Sequence, residues 1–179
     1  MAGKLTDSEF MAADIAMWKE KSPKIHRDDL FRVYSGCKLM KGAKELVADL
    51  KTAGVHVAIV SAGVDLYVQS IAALVKADDW IANGFNFDDE GWLMDEGIVR
   101  VPSMEKYTSI QKLLDILDCP PERLVSVGDS SMDLSMHVEG STFIGFNPQR
   151  ETAKTAFAEA GITVINSKDL NDLRPHLGL

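Results

Sequence analysis

The chain reads as an α/β protein, a doubly wound and mainly parallel sheet preceded by a short helical region. Two patterns carry that reading. Beyond Gly42, short apolar runs alternate with stretches of helical periodicity, the order that lays parallel strands side by side with helices on both faces. Before Gly42, apolar residues recur only at helical intervals, and no repeat, low-complexity tract or Pro/Gly/Ser linker divides the chain, so continuous packing from first helix to last is expected.

Each element follows from its own stretch. Over residues 7–21, Phe10, Met11, Ile15, Met17 and Trp18 fall at helical spacing, and a second short helix is expected over 26–33, after Pro23. A helix over 43–52 stops at Gly54, the residue most at ease where a helix ends left-handed. The apolar run 55–60 then predicts a strand, and 64–76 the helix it feeds. Residues 83–100 carry aromatic and β-branched side chains around Asp88-Asp89-Glu90-Gly91, which predicts a strand and a hairpin-like excursion. A helix over 106–117 leads through Pro120-Pro121 to a strand at 124–127, and strands at 142–146 and 162–165 flank a helix near 152–159. The division expected is a helical part over 1–36 and an α/β core over 37–179.

Composition removes several function classes. With 179 residues and a 46% hydrophobic share, the chain can bury a single core of ordinary size. A net charge of -8, with no cluster of Lys and Arg, argues against nucleic acid as a partner. Cys37 and Cys119 lie far apart without a second cysteine at metal-ligand spacing, so free thiols in a reducing compartment are expected rather than a disulfide or zinc site. The longest apolar run is too short to cross a bilayer and the first ten residues lack a signal-peptide layout; the expected location is the cytoplasm, without membrane contact.

In parallel sheets ligands gather outside the carboxyl ends of the strands. Two such ends bear polar residues: Ser61-Ala62-Gly63, and Gly128-Asp129-Ser130-Ser131-Met132-Asp133. A hydroxyl at a strand end, beside the free N–H groups of a helix start, can anchor a phosphate; taken alone, Ser61 reads first as the cap of the helix beginning near Val64. Asp129 and Asp133 are hard oxygen donors, the first suited to magnesium and the second to orienting a water ligand or a nearby lysine. Ser130-x-x-Asp133 also satisfies the capping-box pattern. Lys106 opens the preceding helix, where a cation could screen the repulsion between a carboxylate nucleophile and a phosphate dianion.

Taken in order, Ser61 at a strand end, Lys106, and Gly128-Asp129-x-x-x-Asp133 resemble motifs two, three and four of the haloacid dehalogenase superfamily. The text from Gly42-Ala43-x-Glu45-Leu46 through Val60-Ser61-Ala62-Gly63-Val64-Asp65 to Asp169-Leu170 resembles its phosphoserine-phosphatase-like branch. The resemblance implies a magnesium-dependent phosphomonoester hydrolase acting on a small phosphorylated metabolite. By it, Ser61 and the Ala62 backbone would bind the transferring phosphoryl group, Lys106 would neutralise it, Asp129 would hold Mg2+, and Asp133 would support the lysine and the metal shell. The family reaction proceeds through an aspartyl-phosphate.

The resemblance also implies an Asp-x-Asp at the end of a first strand, supplying nucleophile and acid/base. No Asp-x-Asp occurs in the sequence. Residues 3–33 resemble the rear half of a helical cap, and the missing strand would lie between those ending at Ser61 and Asp129. The expectation is a truncated, late-started or split protein whose first strand comes from a missing segment or a partner chain. Asp14 stands where phosphoserine-specific members carry an arginine, and Met132 where many relatives have Asn, so another small phosphomonoester competes with phosphoserine as substrate. Two further readings stand beside this one: a non-catalytic phosphate-binding or regulatory module, and a nucleotide-binding α/β domain, which no Gly-x-Gly-x-x-Gly or Walker-type loop supports.

Overall fold

The computed structural model describes residues 5–179. The first helix, α1 (Asp7–Lys21), starts at Thr6, whose hydroxyl accepts from the Glu9 N–H while Glu9 accepts from the Thr6 N–H, a reciprocal cap that satisfies two otherwise orphaned donors. Helix α2 (Arg27–Ser35) follows, capped by the His26 ring accepting from the Asp28 N–H. Then come α3 (Ala43–Thr52), β1 (Ala58–Val64), α4 (Asp65–Val75), β2 (Asp79–Phe87), β3 (Leu93–Ile98), α5 (Tyr107–Leu117), β4 (Val125–Gly128), β5 (Thr142–Phe146), α6 (Glu151–Glu159) and β6 (Thr163–Ile165).

The expected strand at 55–60 begins later and runs further. Gly54, with φ near 78°, donates to Lys51 O at 3.0 Å, and Val55 donates to Leu50 O at 2.9 Å. That pair of bonds closes the end of α3 and keeps Val55 out of the ladder. Val57 is tied to the next strand by Asp78 and Asp79, both of which donate to its carbonyl.

Ladder hydrogen bonds form two three-stranded groups, β1-β2-β3 and β4-β5-β6. The pairs β1/β2, β4/β5 and β5/β6 are parallel, and β2/β3 is an antiparallel hairpin turning at Asp88–Gly91. The mainly parallel sheet expected from sequence is present but divided, because β1 and β4 share no ladder bond. The two ladders nonetheless belong to one layer, since the same two cores sandwich both. On one side Val60 of β1 joins Leu124, Phe143 and Val164 against Ile110 and Leu114 of α5 and Ala153 and Phe157 of α6. On the other, Val57 joins Val127, Ile144, Phe146 and Ile165 against Leu46 and Leu50 of α3 and against Leu173. Alternate residues of β5 point to opposite cores, as the period of two of a strand requires. Among the described residues, β1 and β4 therefore each present one unpaired edge within a common layer.

A third core belongs to the helical region. Ile15 and Leu30 pack with Phe85 and Leu93 of the hairpin, flanked by Trp18, Tyr34 and Leu66. Trp18 and Phe85 meet edge to face, with ring centres 5.4 Å apart, a favoured aromatic geometry.

Candidate active site

The carboxyl end of β4 builds a buried, hydrogen-bonded polar cluster. Gly128 ends the strand, Asp129 and Ser130 follow, and Ser131–Met136 coil into a 3-10 turn that brings Asp133 back beneath the strand end. Lys106, just before α5, donates from Nζ to Asp133 Oδ1 at 2.5 Å, and the pair is buried, with 7% and 8% of the two residues exposed. The backbone N–H groups of Asp129 and Ser130 donate to Asp133 Oδ2 at 3.0 and 2.9 Å. Burying two charges is tolerable only where each finds a partner, and here both carboxylate oxygens are engaged. Burial pushes the Asp133 carboxyl up, but the Lys106 ammonium and the Ser130 N–H outweigh it and hold the group below the usual carboxylate range.

Gly128 is required by this packing, because a Cβ there would overlap Asp133. Ser135 adds a second clamp. Its hydroxyl lies 2.7 Å from Met132 O and 3.1 Å from Ser103 O, and accepts from the Lys106 N–H at 3.3 Å. Asp7 of α1 accepts from the Ser103 N–H at 3.0 Å, so the helical region touches the segment that leads into Lys106.

Ser61 sits on the other ladder. The register between β1 and β2 slips between Ser61 and Val64, a bulge that lifts Ala62 and Gly63 out of the ladder at the strand's end. The reading of Ser61 as a helix cap is not what the structure shows. Helix α4 has Val64 as its N-cap, with no side-chain cap bond, and the Ser61 hydroxyl accepts from the Gly63 N–H at 3.0 Å. Its own proton has no hydrogen-bond partner among the described residues, so the hydroxyl is free to donate.

Lys106, Asp133 and the backbone N–H of Asp129 are thus brought into one hydrogen-bonded cluster, and Ser61 with Ala62 stands apart from it. No hydrogen bond joins the two groups directly among the described residues; they are connected through the shared core of Val60, Ile110 and Leu114 and through Asn83, described below. Two open hollows, of about 420 Å³ beside Cys37–Glu45 and about 550 Å³ beside Pro148 and Asn166, involve none of these residues.

For magnesium the donor set is sparse. No group of three or more His, Cys, Asp or Glu side chains capable of holding a metal occurs among the described residues. The Asp129 side chain is exposed and makes no ion pair or hydrogen bond among them, whereas Asp133 is committed to Lys106 and the backbone. One free carboxylate fits a magnesium ion that keeps several waters and takes further oxygens from a phosphate, with Asp129 as its donor. It does not fit a cage made by the described residues.

The sequence points to Ser61, Ala62, Lys106, Asp129 and Asp133, whereas Asn83 and Ser135 emerge from the structure. An asparagine inside the apolar strand text Trp80-Ile81-Ala82-Asn83-Gly84-Phe85 was the available signal, because a polar side chain on a buried strand must find partners.

Comparison with known proteins agrees with this geometry. Residues 1–137 match the haloacid dehalogenase-like hydrolase family. A phosphoserine phosphatase of Idiomarina loihiensis is 29% identical over 150 residues, covering 83% of this chain and 66% of its own length. One of Archaeoglobus fulgidus is 33% identical over 119 residues, covering 66% of this chain and 34% of its own. The chain therefore spans between a third and two thirds of the length of these curated relatives. Among solved structures, a phosphoserine phosphatase with a phospho-aspartyl intermediate analogue superposes with a TM-score of 0.81 at 24% identity, over 98% of this chain and 79% of that one, a likeness of fold. With its strand-end cluster, its α/β layer and a family match over most of its length, the chain belongs to the haloacid dehalogenase-like hydrolases.

Proposed function

We propose that the protein is a phosphatase of the phosphoserine-phosphatase-like kind, hydrolysing a small phosphomonoester. The observation that carries this reading is the buried Lys106–Asp133 pair at the carboxyl end of β4. A lysine held at 2.5 Å by a carboxylate that is itself anchored to the strand end is an oriented cation, costly to build for packing alone. It suits a site where the charge of a phosphoryl group must be neutralised. Ser61, with its free hydroxyl proton, and the bulged backbone at Ala62 would hold two of the phosphoryl oxygens. Magnesium, when bound, would withdraw charge from the phosphate, and Asp129 would hold it. Asp133 would act through Lys106 and the Asp129-Ser130 turn.

The nucleophile belongs to a strand filling the space between β1 and β4. That both edges lie in one layer, between two cores common to both ladders, supports an additional strand there, from a further segment of the polypeptide or from a partner chain. Its first aspartate would attack phosphorus to give an aspartyl-phosphate while the second gives its proton to the departing alcohol, and the second would then take a proton from the water that releases phosphate. The helical part at 1–36 would cover this site and the segment 37–179 would carry it. The half-buried free thiols of Cys37 and Cys119 support a reducing, cytoplasmic setting. Among the described residues no helix is long and apolar enough to cross a membrane.

The test is hydrolysis of p-nitrophenyl phosphate and of a panel of small phosphomonoesters, phosphoserine included, with and without magnesium. The chain alone is compared with a version extended by its upstream coding segment. Turnover by the extended version, lost in Lys106→Ala, is expected. Phosphate binding without turnover in either version would favour a binding module and overturn the enzymatic reading.

A further inference from the structure

We infer that Asn83 is a positioning residue that locks the phosphate-side turn at Ser61–Gly63 to the segment carrying Lys106; the inference rests on the phosphate-binding reading of that turn. Asn83 is 2% exposed and its amide is fully used. Nδ2 donates to Ala62 O at 3.0 Å and to Val101 O at 3.2 Å, while Oδ1 accepts from the N–H groups of Arg100 and Val101, each at 2.8 Å. Two donors face one end of the amide and two acceptors the other, so its orientation is dictated by its neighbours.

Position explains why an amide is needed. Asn83 lies on β2 opposite Val64, on the far side of the register slip from the Ser61/Ala82 pair. The bulge displaces the Ala62 carbonyl from regular pairing, and the Asn83 amide supplies a donor in place of the ladder. On its other side β2 pairs with β3 only as far as Gly84 opposite Ile98. Beyond that point the Asn83 side chain continues the pairing into Arg100 and Val101, and Val101 is wholly buried. The chain then runs through Ser103, held by Asp7 and Ser135, to Lys106. One side chain thus ties the two halves of the candidate site, which lie on separate ladders. A second contact braces the same corner: Arg100 Nη1 donates to Asp65 Oδ2 at 3.1 Å and to Ala82 O at 3.1 Å.

The substitution that isolates this role is Asn83→Asp. It preserves shape and both Oδ1 bonds but turns an oxygen toward the carbonyls of Ala62 and Val101. The full chain, with magnesium chloride in the buffer, is titrated with inorganic phosphate and followed by 1H–15N NMR. The wild type is expected to shift the backbone amides of Ser61–Gly63 and the Asn83 side-chain NH2 together. Asn83→Asp is expected to bind at least tenfold more weakly at a temperature where it remains folded, while a comparably destabilised Phe157→Leu keeps wild-type affinity. Shifts at Ser61–Gly63 without one at the Asn83 NH2, or unchanged affinity in Asn83→Asp, would overturn the positioning role and leave the phosphate-binding reading standing. Absence of any shift at Ser61–Gly63 in the wild type would overturn both. If Asn83→Asp fails to fold, the wild-type Asn83 NH2 response decides alone.

Discussion

Asp133→Asn is the substitution that most directly probes the site. The carboxylate serves three donors: Lys106 Nζ on Oδ1, and the Asp129 and Ser130 N–H groups on Oδ2. An asparagine can satisfy one side only; whichever way it turns, its NH2 faces either the ammonium or two backbone N–H groups. Lys106, 7% exposed, is left as an uncompensated buried charge, which costs about 3–5 kcal/mol. For a domain of this size each kcal/mol lowers the melting temperature by about 2–4 °C, so a fall of about 6–20 °C is expected. The assay is thermal and urea unfolding at pH 7 of wild type, Asp133→Asn, Lys106→Met and the double variant. Lys106→Met should be the milder single change, because Asp133 keeps its two backbone donors, and adding it to Asp133→Asn should recover stability by removing the orphaned charge. A cost below about 1 kcal/mol for Asp133→Asn, or a double variant less stable than Asp133→Asn alone, would refute the ion-pair reasoning. The pH dependence has a definite sign. The Asp133 carboxyl is held below its ordinary value in the folded state, so its contribution is present above the unfolded value of about 3.9 and is lost as pH falls through the lower folded value. The wild-type advantage over Asp133→Asn should hold from about pH 5 upward and shrink below about pH 4.

Three further outcomes are expected. Gly128→Ala places a Cβ against Asp133 and should cost about 1–3 kcal/mol in urea unfolding, with weaker phosphate binding because the Lys106 clamp shifts. Phe157→Ala empties the largest wholly buried side chain, which meets the Phe143 ring at 5.7 Å, and should cost about 3–5 kcal/mol without altering the pH profile of the remaining stability. Asp129→Ala removes an exposed carboxylate, so unfolding should change by less than about 0.5 kcal/mol, while magnesium should no longer strengthen phosphate binding measured by calorimetry.

The identity and order of the elements were legible in the sequence because they rest on local rules. The spacing of Phe10, Ile15 and Trp18 made α1, the Gly54 stop ended α3, and the strand at Thr142–Phe146 has the expected bounds. The residues at the two strand ends were legible as well, since parallel topology brings strand ends to one side and only a few side chains there bear chemistry. Asp133 shows why a motif alone was ambiguous. Capping the turn and holding a lysine were rival readings from sequence, yet a carboxylate has two oxygens, and the folded chain assigns one to each task.

What sequence could not decide depends on residues distant along the chain. Whether Ser61 caps α4 or stands free turned on a bulge against β2, which is set by pairing with residues about twenty positions away. Division of the layer into two ladders turned on which edges find partners. The importance of Asn83 emerged only when Ala62, Arg100 and Val101 converged on one amide. Periodicity and motif order are properties of neighbours in the chain, and determined which elements form and which residues stand at their ends. Hydrogen-bond satisfaction of a buried polar group is a property of neighbours in space, and only the tertiary structure decided it.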